Sequence, residues 1–226
     1  MAAVFSLIMG VYCFFLPHTP PAHKVGAVLP FVKAISMLAD PNFLIFLVIS
    51  FVVTTQLQFY FLGTARYLED IGTSHNSIPA LMSIAQVAQV VAMAQILPMI
   101  FPRLGFQWTL AIGTGFWLIM FLVYARMRPR KLVIASMVLH GLAFAFFFDA
   151  AFIYVNRVAS PEIRGSAQAL YTTVTLGIGL FAGTQFTGVV MDYFRKDGSF
   201  RWRPVFLVPC VLLLVCGLAF IFFFKG

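Results

Sequence analysis

Two ionisable residues interrupt an otherwise apolar stretch, HGLAFAFFFDAAFIYV, which runs from His140 to Val155. Only alanine, glycine, leucine and phenylalanine separate His140 from Asp149. A carboxylate in apolar surroundings can take up and release a proton, and an imidazole can hydrogen-bond a polar ligand. On an ideal helix the two side chains point about 180° apart, so we expect them to act separately.

Amide side chains form a second polar group. Thr54 and Gln58 are four residues apart, and Ser83, Gln86 and Gln89 are spaced by three, so each set shares one face of a helix. A buried amide costs free energy unless it is hydrogen-bonded. We expect these glutamines to line a polar cavity; the alternative is that they form hydrogen bonds between helices.

The sequence contains no pattern typical of enzymes. HExxH, a nucleophile elbow and a Cys/His cluster are all absent, so we expect no enzyme activity, no metal and no cofactor. Cys13, Cys210 and Cys216 lie within apolar runs without CxxC spacing, which indicates packing roles.

The composition indicates a polytopic membrane protein, because 62% of the residues are hydrophobic and only 10% are charged. A net charge of +8 raises the question of nucleic-acid binding. The basic residues fall between apolar segments, where they fit the lipid headgroups, and we therefore expect no nucleic-acid partner.

Six apolar segments are long enough to span a membrane, which requires about 20 residues. They are bounded by charged residues, proline or glycine, and they cover residues 41–67, 78–101, 107–125, 132–156, 165–191 and 204–224. Their connections are short, so consecutive helices must be antiparallel. The sequence thus predicts an all-α membrane protein built on a six-helix transmembrane bundle, residues 40–226.

The region before the bundle is less regular. We interpret residues 1–16 as the end of one further span whose beginning is missing; a short complete span and a signal peptide are the alternatives. Residues 17–39 are rich in proline and read as a linker that ends in a short interfacial helix, FVKAISML.

The spans differ in polarity. The third and the sixth lack strongly polar side chains and are predicted to face lipid or to be structural. The fifth contains Gly179 and Gly183 in GxxxG spacing, which favours close helix packing. Before it, Arg164 is expected to interact with the carbonyl groups that end the fourth span.

Four stretches carry a resemblance to a known family: LQFYF, SIAQVAQ, HGLAFAFFF and SPEIRGSAQALYTTVTLGIG. In their order and spacing the chain resembles the second half of a major facilitator superfamily transporter, most closely the nucleoside:proton symporter (nucleoside permease) family. The resemblance implies that the six spans are helices seven to twelve of twelve, with substrate bound between the two halves. It also implies that helices seven and ten line the cavity, whereas helices nine and twelve lie outside.

The resemblance also implies a set of substrate-binding positions. One of them, Phe144, matches an aromatic residue that stacks on the base, and another, His140, replaces a tyrosine of the family. Phe61 replaces an asparagine, and Ala145 stands where the family has an aspartate. The expected substrate-binding residues are Gln58, Gln86, Gln89, His140 and Phe144.

Asp149 lies one helical turn beyond Ala145 and is the candidate for proton coupling in place of the family carboxylate. The alternative for Asp149 is an ion pair with Arg157 or Arg164 near the membrane surface. For His140 the alternative is a hydrogen bond between helices.

The expected function is secondary active transport of a small polar solute, nucleoside-like and proton-coupled, by alternating access. The expected location is the cell (inner or plasma) membrane, with multiple spans in the lipid bilayer. One half of such a fold cannot supply both walls of a cavity, so a missing N-terminal half or self-association is expected. The alternative is a regulatory or scaffold subunit, derived from a half-transporter, that does not transport.

Overall fold

The computed structural model describes residues 2–18 and 30–226, and most of them are helical. In chain order the α-helices are α1 (Ala2–Cys13), α2 (Pro30–Ser36), α3 (Pro41–Asp70), α4 (Ile78–Val91), α5 (Leu97–Arg126), α6 (Arg130–Ala135), α7 (Met137–Phe144), α8 (Ala150–Val158), α9 (Arg164–Thr172), α10 (Leu180–Tyr193) and α11 (Trp202–Phe223). The remaining elements are 3₁₀ turns at Met37–Ala39 and His75–Ser77, π-helical segments at Ala92–Ile96, Ala145–Asp149 and Thr173–Gly179, and an antiparallel hairpin of β1 (Arg195–Lys196) and β2 (Ser199–Phe200).

The first helix, α1, is apolar, and residues 3–18 are exposed throughout. Residues 19–29 of the predicted linker lie outside the described residues. A helix, α2, followed by a 3₁₀ turn occupies the position of FVKAISML. The division of the chain into residues 1–16, 17–39 and 40–226 stays a prediction.

The helix α3 begins where the sequence places a helix start. The side chain of Asp40 accepts a hydrogen bond from the backbone N–H of Asn42 at 2.9 Å, and Pro41 occupies the first helical position. The helix is 30 residues long, or about 45 Å, which exceeds the hydrocarbon thickness of a bilayer. Many of its side chains are buried, which places α3 inside the bundle.

Within the described residues, five continuous helical runs are long and apolar enough to cross a membrane. One of them, His75–Arg126, has 52 residues and would be about 78 Å long as a straight helix, far more than one crossing needs. The run bends sharply at Gly105, whose φ of 66° is in the left-handed region that glycine tolerates. Arg130 donates to the carbonyl oxygen of Gly72 at 2.6 Å, so the run begins and ends at the same end of the bundle. It therefore makes two crossings, and the described residues from Pro41 to Phe223 form the six predicted spans.

Two of the other spans contain a π-helical segment near their middle. In the first, which comprises α6, α7 and α8, the segment Ala145–Asp149 joins α7 to α8. In the second, Thr173–Gly179 joins α9 to α10. A π segment places hydrogen bonds between residues i and i+5 and changes the angular positions of the side chains that follow. Ala145 and Asp149 bound one of these segments, so π-helical and not α-helical geometry relates the two residues.

Small residues allow two pairs of helices to approach closely. A Cβ atom on Gly141 would overlap the carbonyl oxygen of Ala85, so α7 and α4 touch through their backbones. A Cβ atom on Gly183 would lie 2.5 Å from the carbonyl oxygen of Thr55, and Gly179 lies against Thr54. The GxxxG pair thus packs α10 and the π segment before it against α3.

Polar contacts fasten the bundle at each of its two ends. At one end, the Asn42 side chain donates to the hydroxyl of Tyr154 at 3.1 Å and to the carbonyl oxygen of Lys225 at 2.8 Å, and it accepts from the Lys225 N–H. At the opposite end, Trp202 Nε1 donates to the carboxylate of Asp70 at 2.8 Å. These contacts join helices that are far apart in sequence and hold the spans in register.

Candidate functional site

His140 lies inside the bundle, with 3% of its surface exposed. The ring of Tyr60 on α3 stacks on the imidazole, with 3.7 Å between centroids and 18° between planes. The indole of Trp117 on α5 donates from Nε1 to His140 Nδ1 at 3.1 Å. His140 therefore joins α7 to both α3 and α5, which is the interhelical role that the sequence left open as the alternative.

The hydrogen bond from Trp117 determines which imidazole nitrogen of His140 is the acceptor and which carries the proton. An indole N–H donates and cannot accept, so Nδ1 of His140 must be the acceptor. The neutral ring then carries its proton on Nε2.

Two phenylalanines beside His140 are open to the outside of the bundle. Phe61 approaches the imidazole edge-on at 5.8 Å between centroids and is 46% exposed. Phe144 is half-buried, lies 6.4 Å from His140 and 4.7 Å from the ring of Phe148. These two rings, which we call the aromatic rim, are the nearest flat surfaces that a ligand beside the bundle would meet.

The predicted glutamines do not meet at one point. Gln89, on α4, is half-buried where α4 contacts Gly141, the residue that follows His140 in sequence. Gln86 lies one turn earlier on α4 and is exposed. Gln58 is 9% exposed, and its Cγ lies 3.0 Å from the position of a Cβ on Gly183. Gln58 thus packs at the contact between α3 and α10, while the contacts of α3 with His140 come from Tyr60 and Phe61.

Asp149 ends the π segment that begins one residue after Phe144. Its residue is half-exposed, but its Oδ2 atom is buried and has no hydrogen-bond partner. Among the described residues Asp149 forms no ion pair, and the alternative of a bridge to Arg157 or Arg164 is not observed. An intramembrane carboxylate oxygen without a partner is costly, and a bound proton removes most of that cost.

Gln168 joins the fourth and fifth spans. Its Nε2 atom donates to the carbonyl oxygen of Phe152 at 2.8 Å, while its Oε1 atom is buried without a partner. The sequence assigned a contact of this kind to Arg164, but in the structure Arg164 is exposed and has no hydrogen bond to the described carbonyl groups. Gln168 belongs to the SPEIRGSAQ stretch, so the motif does connect the two spans, through a different residue.

Trp117 and Tyr60 were both missed from the sequence. The third span was predicted to lack strongly polar side chains, and the indole N–H of Trp117 was not counted as a group that needs an acceptor. That need was a usable signal, because a buried indole N–H requires an acceptor and His140 is one of the acceptors in the next span. Within residues 2–18 and 30–226, no group of three His, Cys, Asp or Glu side chains is placed to hold a metal ion.

The bundle has an aromatic rim, amide side chains on a neighbouring span and an unpartnered intramembrane carboxylate. These features are typical of the class of multi-pass membrane transport proteins. A family model described as Nucleoside H+ symporter matches residues 1–226. The chain belongs to this family, a branch of the major facilitator superfamily whose members are membrane transporters and not enzymes.

Relatives from Escherichia coli strain K12 match nearly all of the chain. The putative nucleoside transporter YegT is 29% identical over 234 residues, which cover 97% of this chain and 54% of YegT. The nucleoside permease NupG is 26% identical over 243 residues, which cover 100% of this chain and 57% of NupG. The xanthosine permease is 27% identical over 236 residues, which cover 97% of this chain and 56% of the permease. The chain thus spans about half the length of the curated relatives that it matches.

The fold agrees with these relatives. The crystal structure of the nucleoside transporter NupG superposes with a TM-score of 0.77, and that of a single-residue mutant of NupG with a TM-score of 0.81. Both are 26% identical in sequence, and each superposition covers 99% of this chain and 59% of the solved chain. The predicted all-helical bundle with the architecture of half a major facilitator transporter is confirmed.

Proposed function

We propose that this chain forms one half of a transporter that moves a nucleoside-like solute by alternating access, with proton coupling at Asp149. The observation that carries the proposal is the pairing, across a single π segment, of the half-exposed ring of Phe144 with the unpartnered carboxylate of Asp149. Such segments frequently lie at functional sites. The printed names of YegT, NupG and the xanthosine permease support the substrate class.

The aromatic rim is the proposed place for the base. Phe144 stacks on the base, and Phe61 closes the rim from α3. Gln86 and Gln89, on the neighbouring α4, supply amide groups for the polar edges of the solute, and Gln58 supplies one from α3. His140 supports the rim from inside the bundle. Its imidazole packs against the rings of Tyr60 and Phe61, and only 3% of its own surface is exposed.

Asp149 is proposed to carry the coupling proton. Its unpartnered oxygen lies in a mainly apolar span, so the protonated side chain is the better-tolerated form when the cavity is closed. When the cavity opens to water, hydration stabilises the carboxylate and the proton can leave. Proton binding and release would then follow the two states of alternating access.

The second wall of the cavity is proposed to come from another six-helix half or from a second copy of the chain. Exposed apolar side chains on two helices support a second wall. On α4, Val87 and Val90 are 65% and 62% exposed, and on α10, Phe181 and Val189 are each 68% exposed. Apolar faces of this kind are covered either by lipid or by protein. The proposed location is the inner membrane of a bacterial cell, as for permeases of this family.

The test is uptake of radiolabelled uridine by bacteria that lack their own nucleoside permeases. The chain is expressed alone and joined to the first six helices of NupG, with the empty vector and full-length NupG as controls. Uptake above the vector by the joined form, or by the chain alone, supports transport. If neither form takes up nucleosides although both reach the membrane, the alternative of a non-transporting scaffold or regulatory subunit is favoured.

A further inference from the structure

A cavity that the transport mechanism does not use lies on the outside of the bundle, between the end of α5 and the start of α11. Its volume is about 500 Å³, within the range of about 300–1,000 Å³ that small-ligand sites occupy. Its lining combines two cations with apolar side chains. The lining residues are Leu122, Ala125, Arg126, Met127, Arg203 and Leu207.

The two arginines of this cavity come from different helices. Arg126 is in the last turn of α5 and Arg203 is in the first turn of α11, and both are exposed. Within the described part of the chain neither one forms an ion pair. Two guanidinium groups facing one cavity without a carboxylate are a binding arrangement for a phosphate, which guanidinium groups recognise through paired hydrogen bonds.

An apolar strip extends from the arginines towards the middle of the membrane. On α11 it consists of Leu207, Val211, Leu214 and Leu218, which are 39%, 62%, 50% and 45% exposed. From Leu207 to Leu218 the helix rises about 16 Å, which matches one leaflet of a hydrocarbon core about 30 Å thick. On α5, Leu122 is 44% exposed and widens the strip at its charged end.

We propose that this cavity, with the strip below it, binds an anionic glycerophospholipid. The phosphate lies between Arg126 and Arg203, and an acyl chain follows Leu207 to Leu218 along α11. A zwitterionic lipid fits the same strip but gains less from the two positive charges, so the site distinguishes lipids by headgroup charge. A free phosphate meets the arginines but leaves the strip unused.

The test is native mass spectrometry of the chain purified in a neutral detergent and titrated with phosphatidylglycerol. Phosphatidylcholine with the same acyl chains and glycerol 3-phosphate are titrated in parallel. Phosphatidylglycerol is expected to bind most tightly. The double variant Arg126→Gln/Arg203→Gln is expected to bind it about 30-fold more weakly, the effect of two arginines near an anionic surface.

The matched control is Arg195→Gln/Lys196→Gln, which removes two positive charges from the hairpin at the same end of the bundle. This variant should keep the preference for phosphatidylglycerol within about threefold, because exposed charges away from the phosphate act only weakly. Unfolding midpoints measured without added lipid establish that both variants are folded.

Three results would overturn the proposal. The first is equal binding of phosphatidylcholine and phosphatidylglycerol by the unmodified chain. The second is a loss in the control variant as large as in Arg126→Gln/Arg203→Gln. The third is competition by glycerol 3-phosphate at the concentration at which the lipid binds, which would assign the arginines to a free phosphate.

Discussion

His140 and Asp149 lie on the same span, nine residues apart, yet their surroundings are opposite. His140 is 3% exposed, receives a hydrogen bond from Trp117 and is stacked on Tyr60. Asp149 is half-exposed, and one of its carboxylate oxygens has no partner. The part of the span that holds His140 is pressed against α4 at Gly141, whereas Asp149 ends a π segment.

The difference separates two uses of an ionisable group in a membrane. A buried group that is held by a hydrogen bond from one helix and by a stacked ring of another stabilises one arrangement of helices. A group with an unsatisfied atom is tolerated where the protein gains a function from it. This difference supports the proposal that His140 belongs to the scaffold behind the aromatic rim and that Asp149 carries the coupling proton.

The largest expected effect is that of Asp149→Asn. The amide keeps the size of the side chain but cannot bind and release a proton. In whichever form transports, the chain alone or the chain joined to the first six helices of NupG, proton-driven uridine uptake should therefore fall to the level of the empty vector. Unmodified uptake should rise as the external pH falls, because a larger inward proton gradient then drives it. The measurement is initial uptake between pH 5.5 and 8.

The control for this variant is Asp192→Asn, which changes an exposed carboxylate near the end of α10. It should keep both the rate and the pH dependence. Uptake by Asp149→Asn that still rises at low external pH would remove Asp149 from the coupling step.

A smaller effect, on the stability of the fold, is expected from variants at His140 and its partner Trp117. Trp117→Phe leaves Nδ1 of His140 without its donor, and His140→Phe leaves the indole without its acceptor. Each is expected to lower the free energy of unfolding by about 1–2 kcal/mol, since a buried polar group loses its partner. The double variant should be less destabilised than the sum of the two, because no unpaired group remains.

The measurement is a double-mutant cycle on denaturation in detergent, with Trp108→Phe as the control, because Trp108 is 48% exposed. Simple additivity of the two single effects would show that the hydrogen bond does not hold these helices together.

The smallest expected effect is that of Phe144→Leu. Leucine keeps the apolar bulk of the rim but loses the aromatic face, so the KM for uridine should rise about 2- to 12-fold, the range expected for one aromatic pair. Phe222→Leu, on an outer face where the side chain is 74% exposed, is the matched control. Equal KM values in the two variants would place the base elsewhere than on Phe144.

Much of the fold could be predicted because a bilayer imposes it. The charged, proline or glycine residues that bound each apolar segment give all six spans, and Asp40-Pro41 marks the start of α3 correctly. The break at Gly105 also falls between two predicted spans. These features depend on local sequence and on length, which are visible without knowledge of packing.

The site was harder to predict because it depends on contacts between spans. The hydrogen bond from Trp117 to His140 joins residues that are 23 positions apart on different helices, and the spacing of polar residues along one helix does not predict it. The π segment at Ala145–Asp149 packs closely on α5, since a Cβ on Gly113 would be 2.9 Å from the backbone nitrogen of Phe147, and such a contact between spans is not visible in local sequence. The substrate positions Gln58, Gln86, Gln89, His140 and Phe144 and the proton position Asp149 stay predictions.

The bend at Gly105 decides whether the number of membrane crossings is odd or even. A chain that crosses the membrane five times has its two flanks in different compartments, whereas six crossings return the chain to the side where it started. Asn42, at the start of the first crossing, is hydrogen-bonded to Lys225, which follows the last crossing, and only an even number of crossings permits that contact. A compartment-sensitive reporter placed just before Asp40 and one placed after Lys225 should therefore give the same signal.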